Sequence, residues 1–179
     1  MTKYVALLRG IGPTNPNMHN DKLRSVFEGL GFSNVKTVIS SGNVIFEASP
    51  KDSKQLEKVI ENAILAQLGF SSTTIIRSRE QLQALVQEEP FSEYEHTQKT
   101  NLAVTFLKHT APADLSHLGH TQHEGYVVLG IYDQAICSVI DLTSAKTPQY
   151  MSWIEKRLSK EVTTRTWKTV QRVLKSLDS

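Results

Sequence analysis

The chain has 179 residues, a formal net charge of +2 and 39% hydrophobic residues. This composition is typical of one globular domain or two small halves and excludes a disordered or fibrous chain. The chain is mildly basic, and this charge alone favours no class of partner. A single cysteine, Cys137, excludes an internal disulfide and is typical of a reducing compartment.

The apolar segments are too short for export or for spanning a membrane. The apolar run before Arg9 is shorter than the core of a signal peptide. No stretch approaches the roughly 18 apolar residues that a membrane span needs. We therefore expect a cytoplasmic protein with no membrane partner.

The first half of the chain predicts a β-α-β-β-α-β order. In sequence order it has a buried strand at 3–10, an amphipathic helix that ends at Gly31, strands at 34–40 and 43–48, a helix from Asp52 to Gly69 and a strand at 73–77. Apolar residues at helical spacing and terminal glycines mark the helices, and short β-branched runs mark the strands. Such an order is typical of a ferredoxin-like unit.

A linking helix follows, with a capping box formed by Ser78 and Gln81, and it ends at Pro90. The second half then has a strand at 101–108, a short helix at 112–118, strands at 125–132 and 135–142, a helix at 148–158 capped by Thr147, a short strand at 161–164 and a last helix with an apolar face. The predicted fold is α+β, with two ferredoxin-like halves in tandem (1–77 and 99–179, joined by 78–98) and an additional C-terminal helix.

Three separated motifs carry a family resemblance. These are YVALLRGI at 4–11, VKTVISSGNVIFE at 35–47 and TTRTWKTVQRVLKSL at 163–177. Together they resemble the bacterial family called domain of unknown function 1697. The resemblance implies two α+β halves of ferredoxin-like character and implies nothing about activity.

The chain departs from that family's pattern at two polar positions that we expect to lie in loops. Residues 12–17 replace a Gly-Gly pair followed by lysines, and Thr166 stands between Arg165 and Trp167 where the family has asparagine. If these loops bind a ligand, this protein is expected to bind a variant of it.

Polar residues at the ends of predicted elements form a candidate ligand site. The set is Arg9, Gly10, Ser41, Gly42, Asn43, Thr164, Arg165 and Thr166. Thr166 is expected to cap the last helix, whose N-terminus attracts anions, and arginine suits phosphate or carboxylate. We hypothesise that Arg9, Asn43 and Arg165 line a polar cleft between the halves. The structural alternative is that they only turn the chain, cap a carbonyl or form an ion pair.

The last helix also carries a basic stripe formed by Lys168, Arg172 and Lys175, within a segment (145–179) that has eight basic and three acidic residues. Such a stripe could contact the phosphates of a nucleic acid. The alternative is an ordinary solvated helix face. The strands lack the basic-aromatic signature of an RNA-recognition domain.

Four histidines raise the question of a metal site. His117, His120 and His123 are spaced by three, with His109 before them and Glu124 after them, but Gly119 interrupts any helix. A polar surface loop is the favoured interpretation, so no metal and no cofactor is predicted. Cys137 lies in an apolar strand and is expected to be a buried, inert thiol.

The preferred function is a binding module for a small anionic ligand or nucleotide bearing phosphate or carboxylate. One alternative is a small enzyme acting on a phosphorylated or carboxylated metabolite in the same cleft. Another is a nucleic-acid or protein-interaction scaffold that uses the basic C-terminal helix. The usual phosphate-loop, hydrolase and zincin motifs do not occur, so no catalytic residue is assigned. The oligomeric state stays open.

Overall fold

The computed structural model describes residues 1–39, 42–109 and 122–179. Across these ranges the protein is α+β, with two antiparallel sheets and five α-helices, so the α+β part of the fold prediction is confirmed. The backbone divides into two compact units. The first comprises Met1–Gln83 and Gln171–Ser179, and the second comprises Ala84–Val170.

The first unit contains a four-stranded sheet and two helices in the predicted order. Its elements are β1 (Thr2–Leu8), α1 (Asn20–Gly29), β2 (Ser33–Thr37), β3 (Asn43–Ala48), α2 (Ser53–Leu68) and β4 (Thr74–Ser78), with a short 3₁₀ helix at Pro16–Met18 before α1. The strands are arranged β2-β3-β1-β4, and every neighbouring pair is antiparallel.

The apolar core of the first unit explains why β1 reads as an uninterrupted apolar run. Alternate residues of β1, such as Ala6 and Leu8, belong to the same core cluster as Phe27 of α1. The residues between them, Val5 and Leu7, are also buried. Because side chains alternate across a strand, β1 is buried on both faces.

The helix ends in this unit follow local sequence signals. Asp52 caps the N-terminus of α2, and Gly69 ends it in the left-handed conformation (φ +77°), as predicted. Gly31 follows the end of α1, also at positive φ.

The described helices include none that is long and apolar enough to cross a membrane.

The second unit is built around a five-stranded sheet. The remaining elements of the chain are α3 (Arg79–Gln87), β5 (Thr100–Leu107), β6 (Gln122–His123), β7 (Tyr126–Tyr132), β8 (Ala135–Asp141), α4 (Thr147–Arg157), β9 (Val162–Thr166) and α5 (Trp167–Asp178). The strands are arranged β6-β7-β8-β5-β9, all antiparallel. Strand β6 was not predicted, and the helix predicted at 112–118 lies outside the described residues.

Two predicted boundaries in this part of the chain are wrong. The N-cap of α4 is Lys146 rather than Thr147, because the Thr147 hydroxyl instead accepts a hydrogen bond from Asn101 Nδ2 at 2.9 Å. The strand predicted at 161–164 runs on to Thr166, since Arg165 and Thr166 pair with β5. These two residues therefore lie on a strand and not in a loop.

The capping box before α3 is confirmed. The Ser78 amide donates to Gln81 Oε1 at 2.8 Å, and the Gln81 amide donates to the Ser78 hydroxyl at 3.2 Å. Each side chain thus satisfies a backbone N–H that the helix leaves without a partner.

Ser78→Ala is expected to lower the free energy of unfolding by about 1 kcal/mol, because it removes the acceptor for a first-turn amide. Urea denaturation followed by circular dichroism measures the change. The control is Ser25→Ala in α1, whose hydroxyl only donates to the Asp21 carbonyl within the helix and should cost little. Equal losses in the two variants would contradict the capping role.

Candidate functional site

The two N-terminal motifs of the predicted site lie side by side. Strands β1 and β3 pair in a register that places Leu7 opposite Asn43. One residue further, the Leu8 amide donates to the Gly42 carbonyl at 2.9 Å. The end of β1 therefore meets the turn before β3, a proximity that sequence reasoning left undetermined.

The backbone of Arg9 is hydrogen-bonded through both its amide and its carbonyl group. Its amide donates to the Thr73 carbonyl at 2.9 Å, and its own carbonyl accepts the Ser72 hydroxyl at 2.7 Å. The Arg9 side chain is half-buried, and the next residue, Gly10, is exposed. The arginine thus extends from a fixed point of the backbone at the edge of the unit.

The turn before β3 is closed by Asn43. This residue is only 1% exposed, and its Nδ2 donates to the Val38 carbonyl at 3.0 Å. The Val38 amide in return donates to the Asn43 carbonyl at 2.9 Å. Asn43 therefore has at least a structural role in the turn, while the predicted site residue Ser41, like Ser40, lies outside the described residues.

Ile39 is a feature of this turn that sequence reasoning missed. Its φ is +61°, a left-handed conformation that β-branched residues rarely adopt, and its side chain is 38% exposed. Holding a non-glycine residue there costs about 1–2 kcal/mol. Backbone strain of this kind clusters at functional sites. No feature of the sequence predicted the left-handed conformation of Ile39.

The chain segments that meet at Arg9 are free of acidic residues. Residues 1–20, 29–46 and 62–79 contain no aspartate and no glutamate. They include the end of β1, the turn before β3 and the entry to β4. The charged side chains that these three segments contribute are therefore all basic.

In the second unit, Arg165 lies on β9 and folds back on its own strand. Its Nη1 donates to the Thr163 hydroxyl at 2.6 Å and to the Thr164 carbonyl at 3.1 Å. Burial lowers the pKa of Arg165 to about 10. That value is well above neutrality, so the guanidinium stays charged at physiological pH.

Thr164 and Thr166 have structural partners as well. The Thr166 hydroxyl accepts the Thr169 amide at 3.3 Å, the N-capping bond predicted for the last helix. The Thr164 hydroxyl lies 2.8 Å from that of Thr105. The described contacts of both threonines thus explain their positions without requiring a ligand.

Thr164 belongs to a buried hydroxyl network that sequence reasoning did not anticipate. Tyr150 Oη lies 3.1 Å from the Thr105 hydroxyl and 2.8 Å from that of Ser138. Burial raises the pKa of Tyr150 to about 12. The network joins three neighbouring strands to α4, and such satisfied polar clusters specify one packing arrangement.

The basic stripe on α5 is exposed. Lys168, Arg172 and Lys175 all lie at the surface, while Val170, Val173 and Leu177 on the apolar face are buried. The amphipathic prediction for this helix is therefore confirmed. Exposure suits a solvated helix face and a polyanion contact equally.

The predictions about metal and thiol have different outcomes. His117 and His120 lie outside the described residues, as does the side chain of His123. Over ranges 1–39, 42–109 and 122–179, no group of three or more histidine, cysteine, aspartate or glutamate side chains could hold a metal. Cys137 is fully buried, and burial raises its pKa to about 12, so the prediction of an inert thiol is confirmed.

Fold and comparisons together define the class of this protein. It is an α+β protein with two antiparallel sheets, and the family described as "Protein of unknown function (DUF1697)" matches residues 1–134. The chain belongs to this family, as its motifs predicted.

A solved structure shares the fold along the whole chain. The conserved bacterial protein SP0830 from Streptococcus pneumoniae matches with a TM-score of 0.73 and 20% sequence identity. The match covers 100% of this chain and 99% of that chain. A search of curated proteins found no match.

Proposed function

We propose that this protein binds a small anionic ligand bearing phosphate or carboxylate, and that Arg9 is the principal cation of the site. The observation that supports this most directly is the anchoring of Arg9. Thr73 and Ser72 hold its backbone on either side. A side chain on such a fixed base loses less conformational entropy when it binds a ligand.

The surroundings of Arg9 support an anion in particular. A guanidinium presents paired donors that fit the oxygens of phosphate or carboxylate. Gly10 is exposed, and a Cβ placed there would meet no atom within 4 Å, so a ligand could approach this backbone closely.

The participation of Arg165, Thr164 and Thr166 in ligand binding stays a prediction. Arg165 remains charged at neutral pH, which an anion contact requires. Arg165→Lys keeps the charge while removing the paired donors, so it tests for bidentate recognition.

Loss of affinity in Arg9→Ala is the central test. We expect calorimetric titration with pyrophosphate, a nucleoside triphosphate and a dicarboxylate to show binding of at least one of them to the wild-type protein. Affinity should fall at least tenfold in Arg9→Ala, because a charge-assisted hydrogen bond typically contributes about 1.5–3 kcal/mol, and Arg9→Lys should recover part of it.

The matched control is Arg24→Ala. Arg24 is an exposed arginine of the first unit that forms an ion pair with Glu28 on α1. Its replacement by alanine therefore removes one positive charge at a position away from the site. Equal loss in the two alanine variants would reduce the effect to net charge and contradict the site. The protein is then incubated with the ligand that it binds, and the ligand is analysed by chromatography. Conversion of the ligand to a product would support the enzymatic alternative, and an unchanged ligand would support binding alone.

A second candidate function, nucleic-acid binding, is supported by the exposure of all three basic residues on α5. A triple alanine variant of Lys168, Arg172 and Lys175 should then weaken RNA binding and flatten its salt dependence, since each phosphate contact contributes about 0.7 to the logarithmic slope for single strands. Arg9→Ala should leave this binding unchanged, which separates the two functions.

The strand orders also support the finer prediction that both units are ferredoxin-like. The order β2-β3-β1-β4 in the first sheet corresponds to β7-β8-β5-β9 in the second, with β6 added at the edge. The segment boundaries at residues 77 and 99 remain part of this proposal.

A further inference from the structure

A groove of about 420 Å³ crosses the surface of the first unit at its helical layer. Leu30, Phe32 and Leu56 contribute apolar side chains to it, and Val59 stands on the α2 side. Lys51 and Lys58 supply its charged groups, and no acidic side chain lines it among the residues that the structure describes. The groove is therefore apolar with a positive border.

The apolar part of the groove is continuous with the core. Leu56 is 1% exposed, and Leu30 and Phe32 pack against the core cluster. The Phe32 ring stacks on Phe46 with a centroid distance of 4.5 Å. These contacts hold the apolar surface in one arrangement, so a ligand would not have to order it.

Val59 marks the part of the groove where apolar surface reaches solvent. It is 46% exposed, and it lines the groove one helical residue from the cationic Lys58. Covering this valine would remove apolar area from water, which is favourable. The adjacent ammonium groups favour an occupant that carries negative charge as well.

The groove is separate from the site proposed around Arg9. The register of β1 with β3 places Thr2 opposite Ala48 and Leu7 opposite Asn43. Lys51 follows Ala48, and its amide donates to Tyr4 Oη at 3.3 Å. The groove therefore lies toward the start of β1, while Arg9 follows its end.

The size of the groove decides between a small molecule and a protein. Small-molecule sites typically occupy about 300–1,000 Å³, which includes this volume. A stable protein interface buries about 800 Å² on each partner, more than a groove of eight lining residues provides.

We propose that the groove binds an amphipathic carboxylate, a medium-chain fatty acid, with its alkyl chain on Leu30, Phe32 and Val59. The carboxylate lies at Lys51 and Lys58. Each methylene that the groove covers should tighten the dissociation constant about fourfold, until the chain outgrows the apolar surface.

The test is a titration of the full chain with octanoate, decanoate and dodecanoate below their micelle concentrations, followed by ¹H–¹⁵N correlation spectra. We expect saturable shifts at Leu30, Phe32 and Val59, with affinity rising along the series. Val59→Glu should lower decanoate affinity at least tenfold. Leu65→Glu is the matched control, because Leu65 is 52% exposed on the same helix and does not line the groove; it should stay within twofold.

Charge recognition is tested separately with Lys58→Glu and with decyltrimethylammonium, which has the same chain and the opposite charge. Both changes should weaken binding at least tenfold. Equal binding of the cationic probe, equal losses in Val59→Glu and Leu65→Glu, or shifts spread over the surface would each overturn the proposal. Arg9→Ala should leave decanoate affinity unchanged, so failure here is distinguishable from failure of the anion site.

Discussion

Gly42→Ala is expected to lower the free energy of unfolding by about 3 kcal/mol, through backbone strain and overpacking together. Gly42 has φ +82°, and an added Cβ would lie 2.8 Å from Ile11 Cγ1 and 3.0 Å from the Leu8 carbonyl oxygen. The carbonyl cannot move aside easily, because Leu8 is paired in the sheet. The turn and the end of β1 would have to separate.

The matched control is Gly10→Ala. Gly10 has a similar φ of +77°, but a Cβ there meets nothing within 4 Å. Its substitution should therefore cost only the conformational penalty, about 1 kcal/mol. Urea denaturation of both variants measures the difference. Equal losses would mean that the close approach of the turn to β1 does not exist in solution.

The same pair of variants also addresses the proposed anion site. If Gly42→Ala folds at low temperature, displacement of the turn should weaken ligand binding through Arg9. Gly10→Ala places a methyl group on the exposed backbone beside Arg9, and should weaken binding without a comparable loss of stability. Calorimetric titration alongside denaturation separates these two effects.

Cys137→Ala is expected to abolish a loss of about 2–3 kcal/mol in the free energy of unfolding, which the wild-type protein undergoes between pH 8 and pH 11. Burial raises the pKa of this thiol from 9.0 to about 12. Above pH 9 the unfolded chain releases the thiol proton while the folded chain keeps it. The unfolded state then binds fewer protons, so stability falls as pH rises, by about 1.4 kcal/mol per pH unit.

Titration of Tyr150 also lowers the free energy of unfolding as pH rises, but it does so at higher pH. Its pKa rises from 10.0 to about 12, mainly through burial, so its contribution is lost from about pH 10 upward. Burial lowers the pKa of Arg165 to about 10 and acts in the opposite direction above that pH. Comparing variants removes this opposing contribution, because Arg165 is present in all of them.

The measurement is urea denaturation at pH 8, 9, 10 and 11 for the wild type, Cys137→Ala, Tyr150→Phe and Tyr94→Phe. The stability difference between wild type and Cys137→Ala should change steadily from pH 9. Tyr150→Phe should diverge only above pH 10, and Tyr94→Phe, at a 40% exposed position, controls for the loss of a tyrosine hydroxyl. A constant difference for Cys137→Ala would show that the thiol titrates normally in the folded protein.

Local features were determined by the sequence alone. Gly69 ends α2, Ser78 and Gln81 cap α3, and Thr166 caps α5 as predicted, because each depends on residues within one helical turn. The apolar face of α5 was predicted from periodicity for the same reason. Apart from β6, the order of the described strands and α-helices, and the family, also followed from short motifs.

Tertiary structure decided whatever depends on residues distant in sequence. Arg165 and Thr166 lie on β9 because β5, about 60 positions earlier, supplies their hydrogen-bond partners. Asn101 engages the Thr147 hydroxyl and so moves the cap of α4 by one residue. The contact of Leu8 with Gly42, which forms the candidate site, likewise depends on the pairing of β1 with β3. Strand pairing and side-chain contacts between elements are set by packing of the whole unit, which no local pattern encodes.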